Sequence, residues 1–145
     1  MNTIDKDVSR RLGSTNPGLT RPAKKMLYVE DNSINAMIVR TLLKRLRPEI
    51  TLVVCDTGAK AQAQLRIERP DFLLIDIGLP DTNGYDLLKA IRAQPALANI
   101  PAVATSNDHA HEVASRAREC GFCEFLAKPV TGDSLLRMLD RVLYL

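Results

Sequence analysis

The stretch from Asp71 to Gly84, DFLLIDIGLPDTNG, constrains this chain most: an apolar run ends on an acid, Asp76, and breaks at once into a turn of Gly, Pro and Asn. Phe72, Leu73, Leu74 and Ile75 make a run too short for a helix and too apolar for a strand with one wet face. A central parallel strand covered on both sides fits best. In open parallel sheets ligands gather beyond the carboxyl ends of the strands, where Asp76 would then stand. On spacing alone an aspartate there serves equally well as the cap of the following turn, so the remaining segments must decide.

They do so by repetition. Met26 to Val29 is a second apolar run closed by acids, Glu30 and Asp31, and Asn32 or Ser33 can cap the helix behind it. In that helix Ile38, Val39, Leu42 and Leu46 return at helical spacing, with Asn35 on the same inward stripe, and Pro48 marks the end. Ile34, Met37 and Thr41 fall to one side of that stripe, where they either pack on a neighbour or dock a partner beside the acids. Ile50 to Cys55 is a strand and Thr57 to Glu68 a helix stopped by Pro70. After the Asp76 turn the pattern predicts a helix over Tyr85 to Gln94, with Leu87, Leu88 and Ile91 inward, and a strand over Ile100 to Thr105 ending on Ser106. A polar helix over about Asp108 to Cys120, begun by Asp108, His109, His111 and Glu112, stops at Gly121. A strand over Phe122 to Ala127 delivers Lys128, and a last helix capped by Thr131 or Asp133 turns Leu135, Leu136, Leu139 and Val142 inward. Five strands alternating with five helices predict an α/β fold, a parallel sheet wound with helices on both faces.

The length of 145 residues and 46% hydrophobic content suffice for one domain, expected over residues 25–145. Residues 1–24 lack apolar periodicity and are expected to form a flexible tail, made mildly basic by Arg10, Arg11, Arg21 and Lys24. A net charge of +3, with basic residues scattered and no interleaved aromatics, argues against a nucleic-acid partner. No apolar run nears the roughly 20 residues that span a bilayer, and the start, MNTIDKDVSRR, is polar. A cytoplasmic protein without membrane contact is expected. Three cysteines argue against a disulfide framework; the Cys120 and Cys123 pair lacks a second CxxC or histidine pair for zinc and reads as incidental packing.

With all strands parallel, one sheet edge collects Glu30, Asp31, Asp76, Ser106 and Lys128. Clustered carboxylates repel unless a cation joins them, and a hard divalent ion such as Mg2+ suits oxygen ligands while keeping positions open for a phosphoryl group. A lysine and a hydroxyl aimed at the same point would neutralise and hydrogen-bond phosphoryl oxygens. Taken singly, each residue has an ordinary reading as a cap, a turn residue or a solvated charge; the joint pattern is far more specific.

Through YVEDNSIN, DIGLPDTNG, PAVATSN and FLAKP, over about residues 24–145, the chain resembles a response-regulator receiver domain, of the stand-alone type and also like the receivers of hybrid histidine kinases. The resemblance implies a flavodoxin-like sheet of order 2-1-3-4-5 and phosphoryl transfer to Asp76 from a phosphohistidine, on a histidine kinase or a histidine phosphotransfer protein. It implies Mg2+ held by Glu30, Asp31, Asp76 and the Gly78 carbonyl, Lys128 paired with the phosphoryl group, Ser106 as the moving hydroxyl and Phe125 as the aromatic switch. Ser106 rather than Thr105 takes that role because Pro101 sets the register and a period of two turns only one of them to the site. Gly78, Asn107 and Thr82 depart from the residues common at their positions, the first two beside the path of attacking water.

The expected function is a phosphorelay module that labels and unlabels itself without turning over a separate substrate, signalling through a downstream protein target or a second copy of itself. No effector domain is expected in the residues that remain. A phosphate sink without conformational output, a phosphate-independent binding module, and a hydrolase with Asp76 as nucleophile are the alternatives. The hydrolase reading is disfavoured by Gly78 in place of a second acid and by the lack of a cap insertion.

Overall fold

The computed structural model describes residues 21–143. In chain order it contains β1 (Lys24–Val29), α1 (Ser33–Leu46), β2 (Ile50–Cys55), α2 (Gly58–Ile67), β3 (Phe72–Asp76), α3 (Gly84–Arg92), a 3-10 turn (Pro95–Leu97), β4 (Ala102–Ser106), α4 (His111–Glu119), β5 (Glu124–Ala127) and α5 (Gly132–Leu143). The strands form one parallel sheet of order β2-β1-β3-β4-β5. Most of the tail expected over residues 1–24 lies outside the described residues, and its last residue, Lys24, already pairs with Ile50 as the first residue of β1.

Two apolar layers sandwich the sheet, because side chains alternate along each strand. Met26, Tyr28, Phe72, Leu74, Val103 and Leu126 face Val39 and Leu43 of α1 and Leu135, Met138 and Leu139 of α5. Leu27, Val29, Leu73, Ile75, Ala102 and Ala104 face α2, α3 and α4, through Ala61, Leu65, Leu87, Leu88, Ile91 and Ala117 among others. All four residues of the Phe72–Ile75 run are fully buried, which is the two-sided cover that such an uninterrupted run requires. Each contributes about 1.5–3 kcal/mol by leaving water.

Local chemistry sets the boundaries. Asn32 caps α1, its side chain accepting from the Ile34 and Asn35 N–H groups, and Asn83 caps α3 by accepting from Asp86. Thr131, not Asp133, caps α5: its hydroxyl accepts from Ser134 N at 3.1 Å while Ser134 Oγ accepts from Thr131 N at 3.0 Å. Asp81, in the turn after β3, reaches across to α2 and accepts from Gly58 N at 2.9 Å and Ala59 N at 3.0 Å. Gly121 ends α4 at φ +108, a left-handed conformation that side chains disfavour, and Phe122 N returns to Ala117 O at 3.0 Å.

Among the boundaries that differ from those predicted, three lie in the segments that lead to Ser106 and Lys128. The fourth helix begins at His111, not Asp108, because Asp108 and His109 are engaged in a connector: Asp108 Oδ1 accepts from Ala110 N at 3.0 Å. The fifth strand begins at Glu124, since Phe122 is used by the helix-ending turn. The fourth strand begins at Ala102, not Ile100, and ends on Ser106 as expected. On α5, Met138 is buried where the periodicity pointed to Leu136 and Val142, which are half-buried.

Candidate phosphoryl site

Glu30, Asp76, Thr105, Ser106 and Lys128 are the buried polar residues among those described, and all five stand at the carboxyl edge of the sheet or one residue beyond it. The register explains the convergence. β1 pairs with β3 and ends at Val29 opposite Ile75, so Glu30 and Asp76 leave adjacent strands at the same height. Asp76 pairs with Thr105, Ser106 with Ala127, and Lys128 N donates to Ser106 O at 3.0 Å. Gly84 lets α3 start directly beneath: a Cβ there would lie 2.8 Å from the Asp76 carbonyl oxygen.

The Lys128 ammonium binds Glu30 Oε1 at 2.8 Å and Asp76 Oδ2 at 3.1 Å. Glu30 Oε1 also accepts from the Tyr28 hydroxyl at 3.0 Å, and its Oε2 from Asn32 N at 3.1 Å. Asp76 Oδ1 accepts from Gly78 N at 3.1 Å. Burial and then the Glu30 charge push the Asp76 carboxyl up to about 6, even though Lys128 pulls the other way. Burial would also raise Glu30, but Lys128, the Asn32 N–H and Tyr28 together hold it below the ordinary range. For Lys128 burial works against the charge, and the two carboxylates more than offset it, raising its affinity for the proton. Burial first, and Glu30 second, raise Tyr28.

Carboxylate oxygens of Glu30, Asp31 and Asp76 all lie within 4.8 Å of one another. Two are buried and Asp31 is exposed, so the cluster opens to water on one side. Three hard oxygen donors, with one carboxylate resisting ionisation through burial and crowding, are a donor set that a small divalent cation fits. An open groove of about 400 Å3 continues from Glu30 and Asp31 past Ser33, Ala36 and Met37 to Arg40. Ile34 and Met37 stand 66% and 62% exposed beside it, and Thr41 is exposed on the same helix.

The two adjacent hydroxyls separate as a period of two requires. Thr105 donates to Leu126 O at 2.6 Å, fully buried inside the sheet. Ser106 lies on the other side of the strand, where its Oγ accepts from Asp108 N at 3.0 Å and keeps its own hydrogen to donate. Phe125 is half-buried on that side, in register with the small Ala104.

Three contributors escaped the sequence reading. Tyr28 had a usable signal, since it precedes Glu30 by two residues and so shares its face. Asp81 capping α2 and His109, whose Nε2 lies 2.7 Å from Lys128 O, join segments 23 and 19 residues apart, and no local pattern marks such pairs. Cys120 and Cys123 are exposed, whereas Cys55 is buried; all three are free thiols.

A parallel sheet of this order thus carries acids, a hydroxyl and a lysine together on its carboxyl edge. Residues 26–140 match the model of the response regulator receiver domain, and the chain belongs to that family. It is 33% identical over 119 residues to the two-component response regulator ORR7 of Oryza sativa subsp. japonica, covering 81% of this chain but only 56% of that relative. With the two-component response regulator ORR11 of Oryza sativa subsp. indica it shares 32% identity, over 81% of this chain and 80% of the relative. Among solved structures it is similar to the receiver domain of the sensor histidine kinase PA1611 from Pseudomonas aeruginosa PAO1, which has a magnesium ion coordinated in its active site cleft. That likeness has a TM-score of 0.74 and 28% identity, over 83% of this chain and 97% of the other.

Proposed function

We propose that Asp76 is the phosphoacceptor of this receiver, taking a phosphoryl group from phosphohistidine on a histidine kinase or a histidine phosphotransfer protein. The carrying observation is Lys128, whose ammonium lies 2.8 Å from Glu30 and 3.1 Å from Asp76 beside a three-carboxylate cluster. In the transfer an Asp76 carboxylate oxygen bonds to phosphorus, the phosphorus–nitrogen bond to the donor imidazole breaks, and the imidazole leaves with its electron pair. Glu30, Asp31, Asp76 and the Gly78 carbonyl are the groups to hold Mg2+, which when bound supplies positive charge against the phosphoryl oxygens. Lys128 supplies a second positive charge, and Ser106 a hydrogen bond once its hydroxyl turns inward.

In this reading the donor docks on Ile34, Met37 and Thr41, exposed apolar or neutral positions of α1, of which Met37 lines the groove leading to the acids. The output is an interaction made by the receiver itself, acting as a single-domain regulator that turns over no separate substrate. It passes through the face of α4, β5 and α5, where Phe125, Pro129, Arg137, Met138 and Arg141 line an open groove of about 270 Å3. A downstream protein or a second copy of the chain would bind there. No helix among the described residues is long and apolar enough to cross a membrane, and three free thiols suit the reducing cytoplasm.

Incubation with acetyl phosphate and Mg2+, read by intact mass, tests the acceptor. The expected result is one added phosphoryl group, dependent on the divalent ion and absent from Asp76→Asn. Full labelling of that variant would sink the assignment.

A further inference from the structure

Lys128 is held at three points, two of them in the site already described. Its N–H donates to Ser106 O at 3.0 Å and its ammonium bridges Glu30 and Asp76. The third is its carbonyl oxygen, 2.7 Å from Nε2 of His109. A carbonyl only accepts, so Nε2 carries the hydrogen and the tautomer is fixed. The bond sits one residue past the end of β5, where Pro129 has no N–H and the strand cannot carry its ladder further. His109 thus stands in for a ladder partner at the root of the lysine.

The same short connector holds the other responsive residue, since Asp108 N donates to Ser106 Oγ at 3.0 Å. Residues 107–110 therefore touch both groups that must address a phosphoryl group on Asp76, one through its hydroxyl and one through its main chain.

We propose that His109 is a positioning residue for phosphoryl transfer, fixing the main chain of Lys128 so that its ammonium stays on Asp76. The proposal rests on the assignment of Asp76 and Lys128 above. A lysine side chain has about 2 kcal/mol of rotamer entropy, and a shift at its root moves the charge off the acceptor oxygens. Transfer chemistry is sensitive to displacements of about 1 Å. His109 itself is exposed and touches no carboxylate of the cluster in any hydrogen bond described.

The test compares the unaltered protein with His109→Ala and His109→Gln for labelling rate by acetyl phosphate, the Mg2+ concentration giving half the rate, and thermal midpoint. Loss of one hydrogen bond predicts a rate about fivefold lower for the alanine variant, with half-saturating Mg2+ unchanged because no metal-facing oxygen is lost. Glutamine, whose amide can donate to the same carbonyl, should restore at least half of the lost rate. An alanine variant as fast as the unaltered protein overturns the proposal while leaving the Asp76 reading intact. Equal slowing in both variants also overturns it, because the hydrogen bond would not be the cause. Failure of the unaltered protein to label overturns the Asp76 reading, and this proposal with it.

Discussion

Two halves of one sheet edge are built differently. At β1 and β3 the charged groups are buried and interlocked: Glu30 accepts from Tyr28, Asn32 and Lys128, and Asp76 from Gly78 and Lys128. At β4 and α4 the connector 107–110 is exposed and is held by single hydrogen bonds through Ser106, Asp108 and His109. Buried, multiply bonded groups hold geometry before any ligand arrives, whereas single, partly exposed bonds of about 1 kcal/mol each hold it less firmly. Under the proposed function, the first half would hold the phosphoryl group and the second would respond to it.

The sharpest break of that comparison comes from Asp76→Asn, which removes the acceptor from the rigid half and should leave no labelling in intact mass spectra. Next comes Ser106→Ala in the loose half, which should still label. In the unaltered protein beryllofluoride should change hydrogen exchange through residues 104–128, and without the hydroxyl that change should be lost. No change there in the unaltered protein would instead mark a phosphate sink. On the α1 side, Ile34→Glu should slow transfer from the cognate phosphodonor about tenfold while sparing acetyl phosphate, since an exposed position affects encounter and not chemistry. Equal loss with both donors would reveal a damaged site.

A further effect is thermodynamic. Asp76 titrates near 6 in the fold against 3.8 for a free carboxyl. Its raised value means that the folded state favours the neutral acid, so stability is present at low pH and is lost as pH rises through about 4 to 6. Without divalent ions, Asp76→Asn should exceed the unaltered protein by about 2–3 kcal/mol in urea unfolding near pH 7. That advantage should shrink as pH falls toward 4; one that stays constant with pH would deny strain in the rigid half.

The rigid half was also the more legible in sequence. Apolar runs closed by acids announce strands and their ends, so the repetition of that pattern over two strands places Glu30, Asp31 and Asp76 on one edge. In the connector, Asp108 and His109 are compatible with a helical start, and local pattern alone extends the helix over them. Their hydrogen bonds to Ser106, Ala110 and Lys128 decide otherwise, and the longest of these spans 19 residues. Met138 stands on the i, i+3, i+4, i+7 stripe with Leu135, Leu139 and Val142, and Leu136 lies to one side of it, so this difference is one that strict helical spacing resolves.

Asp81 adds a consequence for the acceptor turn. Its carboxylate closes the first turn of α2 through Gly58 and Ala59, while Gly84 N and Ile77 O, 2.8 Å apart, fasten the base of the same turn. The segment beside the acceptor is thereby a clasp between two helices. Lifting it away from Asp76 would free the Gly58 and Ala59 N–H groups while Thr57 still caps Lys60 N at 3.0 Å, so opening of the site costs hydrogen bonds at the start of a helix that contributes nothing to the acid cluster.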